Sequence, residues 1–239
     1  MTNSWHESVS PLFTVLEYLG TFAGAISGVR LACQKRFDWF GAYVIGFVTA
    51  LGGGTLRDVM LRVHPFWMEE GSYVLTTFLA VVAVWLFGRK FISGQITWFV
   101  FDTIAISVFM IIGLEKTIVV LESQARAAGL VQTNCAWWVA VTMGVITAVF
   151  GGVLRDICIN EVPLIFRKEL YAMACAAGGL LWYVLYWCGV EDAYVRYIAS
   201  VLFIFAIRAL AIKYHLGVPV LSGRGQHIHM HKNRGRKND

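Results

Sequence analysis

Apolar residues in this chain fall into long blocks instead of alternating or lining one helical face. Seven blocks are long enough to span a bilayer. They run from about Leu12 to Cys33, Trp39 to Arg62, Tyr73 to Gly88, Ile96 to Lys116, Cys135 to Ile159, Leu170 to Gly189 and Ala193 to Tyr214. Each approaches the ~20 residues that a hydrocarbon core about 30 Å thick demands at about 1.5 Å per residue. Polar turns separate them: Gln34-Lys35-Arg36, Arg89-Lys90, a loop around Glu122 and Arg126, and Glu191-Asp192. The pattern predicts an all-α integral membrane protein with seven transmembrane helices in a single domain over residues 1–214. After Tyr214 the chain turns polar, glycine-rich and basic. Residues 215–239 read as a disordered cytoplasmic tail, unable to bury a core.

The second and fifth blocks repeat one another. GFVTALGGGTLRDVMLRVHP (Gly46 to Pro65) reappears as GVITAVFGGVLRDICINEVP (Gly144 to Pro163). One constant offset matches Thr49 to Thr147, Gly53 to Gly151, Gly54 to Gly152, Arg57 to Arg155 and Asp58 to Asp156. It also matches Trp39 to Trp137 and Tyr73 to Tyr171. A shorter offset aligns Ala25-Ile26-Ser27 with Ala105-Ile106-Ser107 in the first and fourth blocks. The unit is therefore three helices, about 12–90 and about 96–189, with the seventh helix (about 193–214) outside it. An odd number of spans per unit inverts the second copy, which puts ligand sites near the midplane between the copies.

Each copy carries glycines and then an Arg-Asp pair well inside an apolar segment. Consecutive glycines lower the cost of unwinding a helix, and backbone groups freed in lipid must face protein or a wet cavity. Helices two and five are therefore predicted to break at Gly52-Gly53-Gly54 and at Gly151-Gly152. Carbonyls freed there, with Thr49 and Thr147 one turn earlier, are the candidate pore and cation-binding groups. Close helix packing by small residues is the competing use of those glycines. A charge at that depth costs a few kcal/mol unless paired, so Arg57, Asp58, Arg155 and Asp156 are candidates for gating or for an ion-pair lock between the halves. Neighbours on a helix point about 100° apart. Arg57 and Asp58 are thus not expected to pair with each other; each Asp should cap or pair across the repeat interface. Inversion puts Arg57 toward the outside and Arg155 toward the cytoplasm. Glu17 and Asp102 lie near helix starts and are expected to snorkel to the interface. Arg208 is expected to pair with an acidic group or reach the inner interface, and Pro65 and Pro163 end the glycine helices.

Composition agrees. The 239 residues are 58% hydrophobic and 15% charged, against about 25% charged in a soluble domain. The net charge of +5 sits in short loops and the tail, as the positive-inside rule produces, so no nucleic-acid partner is expected. Lys35, Arg36, Arg89, Lys90, Arg167, Lys168, Lys213 and the tail's basic residues fall on one side. Arg62, Lys116, Arg126 and Arg196 fall on the other. The N-terminus is therefore expected outside and the C-terminus in the cytoplasm. No basic n-region or cleavage site marks a signal peptide. The five cysteines have no CxxC spacing and read as small core residues. His227, His229 and His231 alternate in the tail, but no Cys or carboxylate completes a metal shell. No nucleophile–base pair, intramembrane metal cluster or phosphate loop is present, so no enzyme and no resident cofactor is expected. Permeant K+ or Na+ and bound membrane lipid are compatible with the pattern.

With seven spans, two three-helix repeats, and GGGTLRD and FGGVLRD in the second and fifth, the sequence resembles bacterial members of the trimeric intracellular cation (TRIC) channel family over about residues 12–214. The resemblance implies a homotrimer with a pore in each subunit, lined by kinked second and fifth helices and permeable to monovalent cations, chiefly potassium. Phe150 stands where the first motif has Gly52, so the two breaks are not expected to be equal. The same bacterial sequences are also grouped under a name implying glycine transport. An Arg holding a carboxylate while carbonyls hold an ammonium gives that reading, a secondary transporter of a small amino acid, physical sense. A lipid-binding or scaffold role is the third reading.

Overall fold

The computed structural model describes residues 11–92, 95–130, 135–167 and 170–214. The tail at 215–239, with His227, His229 and His231, lies outside them. Among the described residues there are nine helices and no strand: α1 (Pro11–Gln34), α2 (Trp39–Met60), α3 (Phe66–Glu69), α4 (Ser72–Ile92), α5 (Gln95–Ala127), α6 (Trp137–Cys158), α7 (Leu164–Arg167), α8 (Leu170–Trp187) and α9 (Ala193–Lys213). Five are long and apolar enough to cross a membrane, namely α2, α5 from Phe99, α6, α8 and α9. The apolar stretch of α4, Ser72–Gly88, is shorter, and α1 carries Glu17 and Arg30, both buried inside the bundle.

Local chemistry sets the ends of the two repeated helices. Asp38 caps α2 by accepting from the Gly41 amide at 2.7 Å, which satisfies an amide the first turn leaves free. Both helices finish in the same way. Arg62 and Asn160 adopt left-handed backbone, with φ of 58° and 57°. The next amides, Val63 and Glu161, reach back to the Asp58 and Asp156 carbonyls at 3.0 and 2.8 Å, as in a Schellman stop. Pro65 and Pro163 follow, and each opens into a one-turn helix, α3 or α7.

The loop expected around Glu122 and Arg126 is helical. Helix α5 continues past Lys116 to Ala127. That polar segment consists largely of good helix formers and meets no breaker until Gly129, whose φ is +74°. Glu122 and Arg126 form an (i, i+4) pair across it at 3.5 Å.

Four helices, α1, α2, α5 and α6, make the centre of the bundle. Helix α4 packs on α1, whereas α8 and α9 pack on each other and on α5. The apolar core divides accordingly. One cluster joins α1, α2 and α4 through Ile26, Val29, Leu51, Tyr73 and Val84. The other joins α5, α6, α8 and α9 through Met110, Ile111, Leu114, Cys175 and Ile204. The two halves meet where α2 crosses α6.

Candidate functional site

That crossing is built from the repeated glycines. A Cβ on Gly53 would fall on the Thr147 carbonyl oxygen of α6, and a Cβ on Gly151 would fall on the Thr49 carbonyl oxygen of α2, both well inside contact distance. Position 53 meets 147 while 49 meets 151, so the helices run antiparallel and each contact mirrors the other. The Lys35–Glu161 ion pair at 2.5 Å fits this: it ties the chain entering α2 to the chain leaving α6. The expected breaks are absent. Helical backbone continues through Gly52–Gly54 and through Gly151–Gly152. The glycines bring two backbones together instead of freeing carbonyls, because a helix without side chains on one face can approach another to backbone contact.

The remaining motif residues serve the same packing. Gly52 faces Leu154 and the Gly151 backbone, Gly54 lies against the Phe66 ring, and Gly152 lies beneath the Tyr171 hydroxyl and the Arg155 guanidinium. Thr49 and Thr147 are buried and donate to their own helices, to Ile45 O at 2.6 Å and Met143 O at 2.7 Å. Their side chains fill the space left by Gly28 of α1 and Gly113 of α5.

Beyond the crossing, in opposite directions along the bundle, lie the Arg-Asp pairs. Each Arg does pair with its neighbour, contrary to expectation. Arg57 Nε donates to Asp58 Oδ1 at 2.8 Å, and Arg155 Nε donates to Asp156 Oδ1 at 2.8 Å. Adjacent Cβ atoms diverge, but the long arginine stem curls back over the intervening angle. The second carboxylate oxygen of each Asp takes the amide that opens the next short helix: Phe66 N for Asp58 and Leu164 N for Asp156, both at 2.9 Å. Each Asp therefore orients an Arg and caps a turn. Asp58 also meets the expectation of a partner across the repeat interface, Lys116 of α5 at 3.2 Å. Phe66 lies beneath both cations, 5.8 Å from Arg57 and 5.6 Å from Lys116.

The second cluster recruits different partners. Arg155 Nη1 donates to Ser27 Oγ of α1 at 2.9 Å and to Asp102 of α5 at 3.2 Å. Asp102 also accepts from Arg208 of α9 at 2.9 Å and from the Tyr171 hydroxyl at 3.5 Å. All these side chains are buried, with Arg155 0% and Arg57 1% exposed. One guanidinium nitrogen, Nη2, has no hydrogen-bond partner among the described residues in either arginine. A buried orphan donor is costly, and finding it at the same atom in both copies marks the two sites as equivalent.

These partners correct the alignment of the first and fourth helices. Tyr73 donates to Glu17 at 2.8 Å as its repeat mate Tyr171 donates to Asp102. Gly28 packs on Thr49 as Gly113 packs on Thr147. The structural register thus pairs Glu17 with Asp102 and Gly28 with Gly113, not Ala25-Ile26-Ser27 with Ala105-Ile106-Ser107. Those runs of small residues matched by composition alone. Lys116 and Ser27 carried no sequence signal for the site, beyond the general rule that an intramembrane ionisable group is functional. Elsewhere, a surface groove of about 210 Å³ opens between α1, α2 and α4, walled by Val29, Ala42, Val81 and Val84. Among the described residues, no group of three or more His, Cys, Asp or Glu converges as a metal site.

A family model described as “Glycine transporter” matches residues 14–89 and 99–187. An Escherichia coli protein described as a UPF0126 inner membrane protein, YadS, is 35% identical over 212 residues, covering 87% of this chain and 95% of that protein. A structure described under conductance through TRIC cation channels is 33% identical, with a TM-score of 0.73 over 90% of this chain and 99% of the other. The TRIC orthologue from Rhodobacter sphaeroides is 28% identical, with a TM-score of 0.74 over 87% of this chain and 100% of the other.

Proposed function

The chain belongs to the TRIC family, grouped also under the description “Glycine transporter”, and we propose that it is a cation channel of a bacterial inner membrane. The observation that carries this is the likeness, over 90% of the chain at 33% identity, to a structure described under conductance through TRIC cation channels, joined to two equivalent clusters of buried charge on either side of a helix crossing. The chain is not an enzyme. Carriage of glycine has the family description in its support, whereas the solved relatives are described as cation channels.

In this reading the seven spans are α1, α2, α4, α5, α6, α8 and α9, within a single domain over 1–214. They form two inverted three-helix repeats with α9 outside them, and 215–239 is a cytoplasmic tail. The N-terminus faces outward. Three subunits assemble in the lipid, each with its own path for monovalent cations, potassium foremost. The path runs beside α2 and α6, and the Gly53–Gly151 contact is its shut constriction. Buried charge on α1 is tolerable because Glu17 has Tyr73 as a partner in the interior. Arg57 and Arg155, each neutralised by an Asp, act as gate elements above and below the constriction instead of as cation ligands.

Two measurements test the reading together. Reconstituted protein in planar bilayers should carry picoampere unitary currents whose reversal potential follows a KCl gradient toward the potassium potential. Vesicles loaded with glycine should show no counterflow. Counterflow without unitary current would overturn the channel reading.

A further inference from the structure

Helix α9 stands outside the repeat, yet it delivers a cation into the centre of the second copy. Arg208 is 5% exposed and reaches Asp102 Oδ2 at 2.9 Å. Its guanidinium carbon lies 4.6 Å from the Tyr171 ring centroid and 5.2 Å from that of Phe99. Two aromatic faces and a carboxylate therefore hold it in one orientation. Asp102 divides its oxygens between two arginines, Oδ2 to Arg208 and Oδ1 to Arg155. The first copy has nothing like this. At the matching place Glu17 accepts from Tyr73, and no cation lies within ion-pair distance of it among the described residues. There the extra cation is Lys116, and it meets the motif Asp directly.

From this asymmetry we propose that Arg208 is a positioning residue for permeation, acting through Asp102 on Arg155. The proposal rests on the channel reading above. With Arg208 in place the cluster holds two arginines, Asp102 and Asp156, and is neutral. Occupying Oδ2 also confines Arg155 to Oδ1, which leaves it aligned with Asp156 and Ser27 at 2.8 and 2.9 Å. Without Arg208 the carboxylate turns both oxygens to Arg155 and draws it off Asp156, and the cluster becomes net negative. Lys116 plays the corresponding part at the other end, so the two ends of the path are controlled from different elements.

The experiment compares wild type, Arg208→Gln, Arg208→Lys, Asp102→Asn and the Arg208→Gln/Asp102→Asn double variant, each as full-length protein in planar bilayers in symmetric KCl. Arg208→Gln should raise unitary potassium conductance by about twofold or more, since a net negative site concentrates cations. Arg208→Lys, which keeps the charge, should stay near wild type. The double variant restores neutrality and should return toward wild-type conductance, and it serves as the readable variant if Arg208→Gln fails to fold. Unchanged conductance in Arg208→Gln, or a double variant no closer to wild type than the singles, overturns the proposal. If wild type itself carries no current, the channel reading falls and this inference is judged on thermal unfolding. Non-additive melting shifts for Arg208→Gln and Arg155→Gln uphold the coupling through Asp102, and additive shifts overturn it.

Discussion

Gly53 of α2 lies against the Thr147 carbonyl of α6 so closely that a single added carbon would coincide with the oxygen's space. Gly151 repeats the contact on the Thr49 carbonyl. The two helices thus meet through a self-complementary pair of backbone contacts, and the doubled glycine motif is the sequence record of that meeting.

Substituting either glycine should separate the helices. Gly53→Ala and Gly151→Ala are each expected to destabilise the protein by about 1–3 kcal/mol, the usual range for overpacking. Gly71→Ala, where nothing lies within 4 Å, should leave stability nearly unchanged. Thermal unfolding in detergent reads the difference. Equal melting temperatures for Gly53→Ala and Gly71→Ala would remove the crossing from the account.

Asp58→Asn keeps an acceptor for the Phe66 amide but strips the charge that faces Arg57 and Lys116. Breaking a buried pair from one side costs about 3–5 kcal/mol. Adding Lys116→Met should recover part of that loss, because one of the two stranded cations disappears. A double variant less stable than Asp58→Asn alone would show that Lys116 does not answer to Asp58.

The Lys35–Glu161 pair is half in solvent, with side chains 41% and 36% exposed. Glu161→Gln should therefore change stability by less than about 1 kcal/mol. The same proximity makes a topological test. With Cys33 and Cys158 replaced, Lys35→Cys and Glu161→Cys should be bridged by a bifunctional thiol reagent about as long as the two lost side chains together, since the contact is between their tips. Labelling of either single cysteine from one side only would fix which face of the membrane that end occupies. Failure to cross-link would contradict the antiparallel packing of α2 and α6.

Arg62 and Asn160 end α2 and α6 in left-handed backbone, which costs an ordinary L-residue about 1–2 kcal/mol and asparagine less. Arg62→Gly should stabilise the protein, and Asn160→Gly should gain less. Both are measured as shifts in melting temperature. A loss on Arg62→Gly would mean that its side chain contributes more than the turn does.

Much of this was legible in the residues. The doubled GG-x-L-R-D run, the paired prolines and the tyrosine mates Tyr73 and Tyr171 each occupy equivalent places in space, because one local solution was written twice. The register of the first and fourth helices was not legible. Glu17 answers Asp102, yet the two differ in side chain and sit among unlike neighbours, while a run of small residues gave a closer but empty match. Glycine was ambiguous by nature. The absence of a side chain serves unwinding and close approach equally well in a string of letters, and only the position of the other helix chooses between them.

What the sequence determined alone was short-range or additive: apolar length, the duplicated motif, and the fact that deeply placed charges need partners. The identity of those partners was a matter of tertiary structure. Lys116 on Asp58, Ser27 on Arg155, and Arg208 on Asp102 each join residues far apart in the chain, and which of them meet depends on how the helices cross. Hydropathy says that a buried arginine must be answered, but only packing says by which residue.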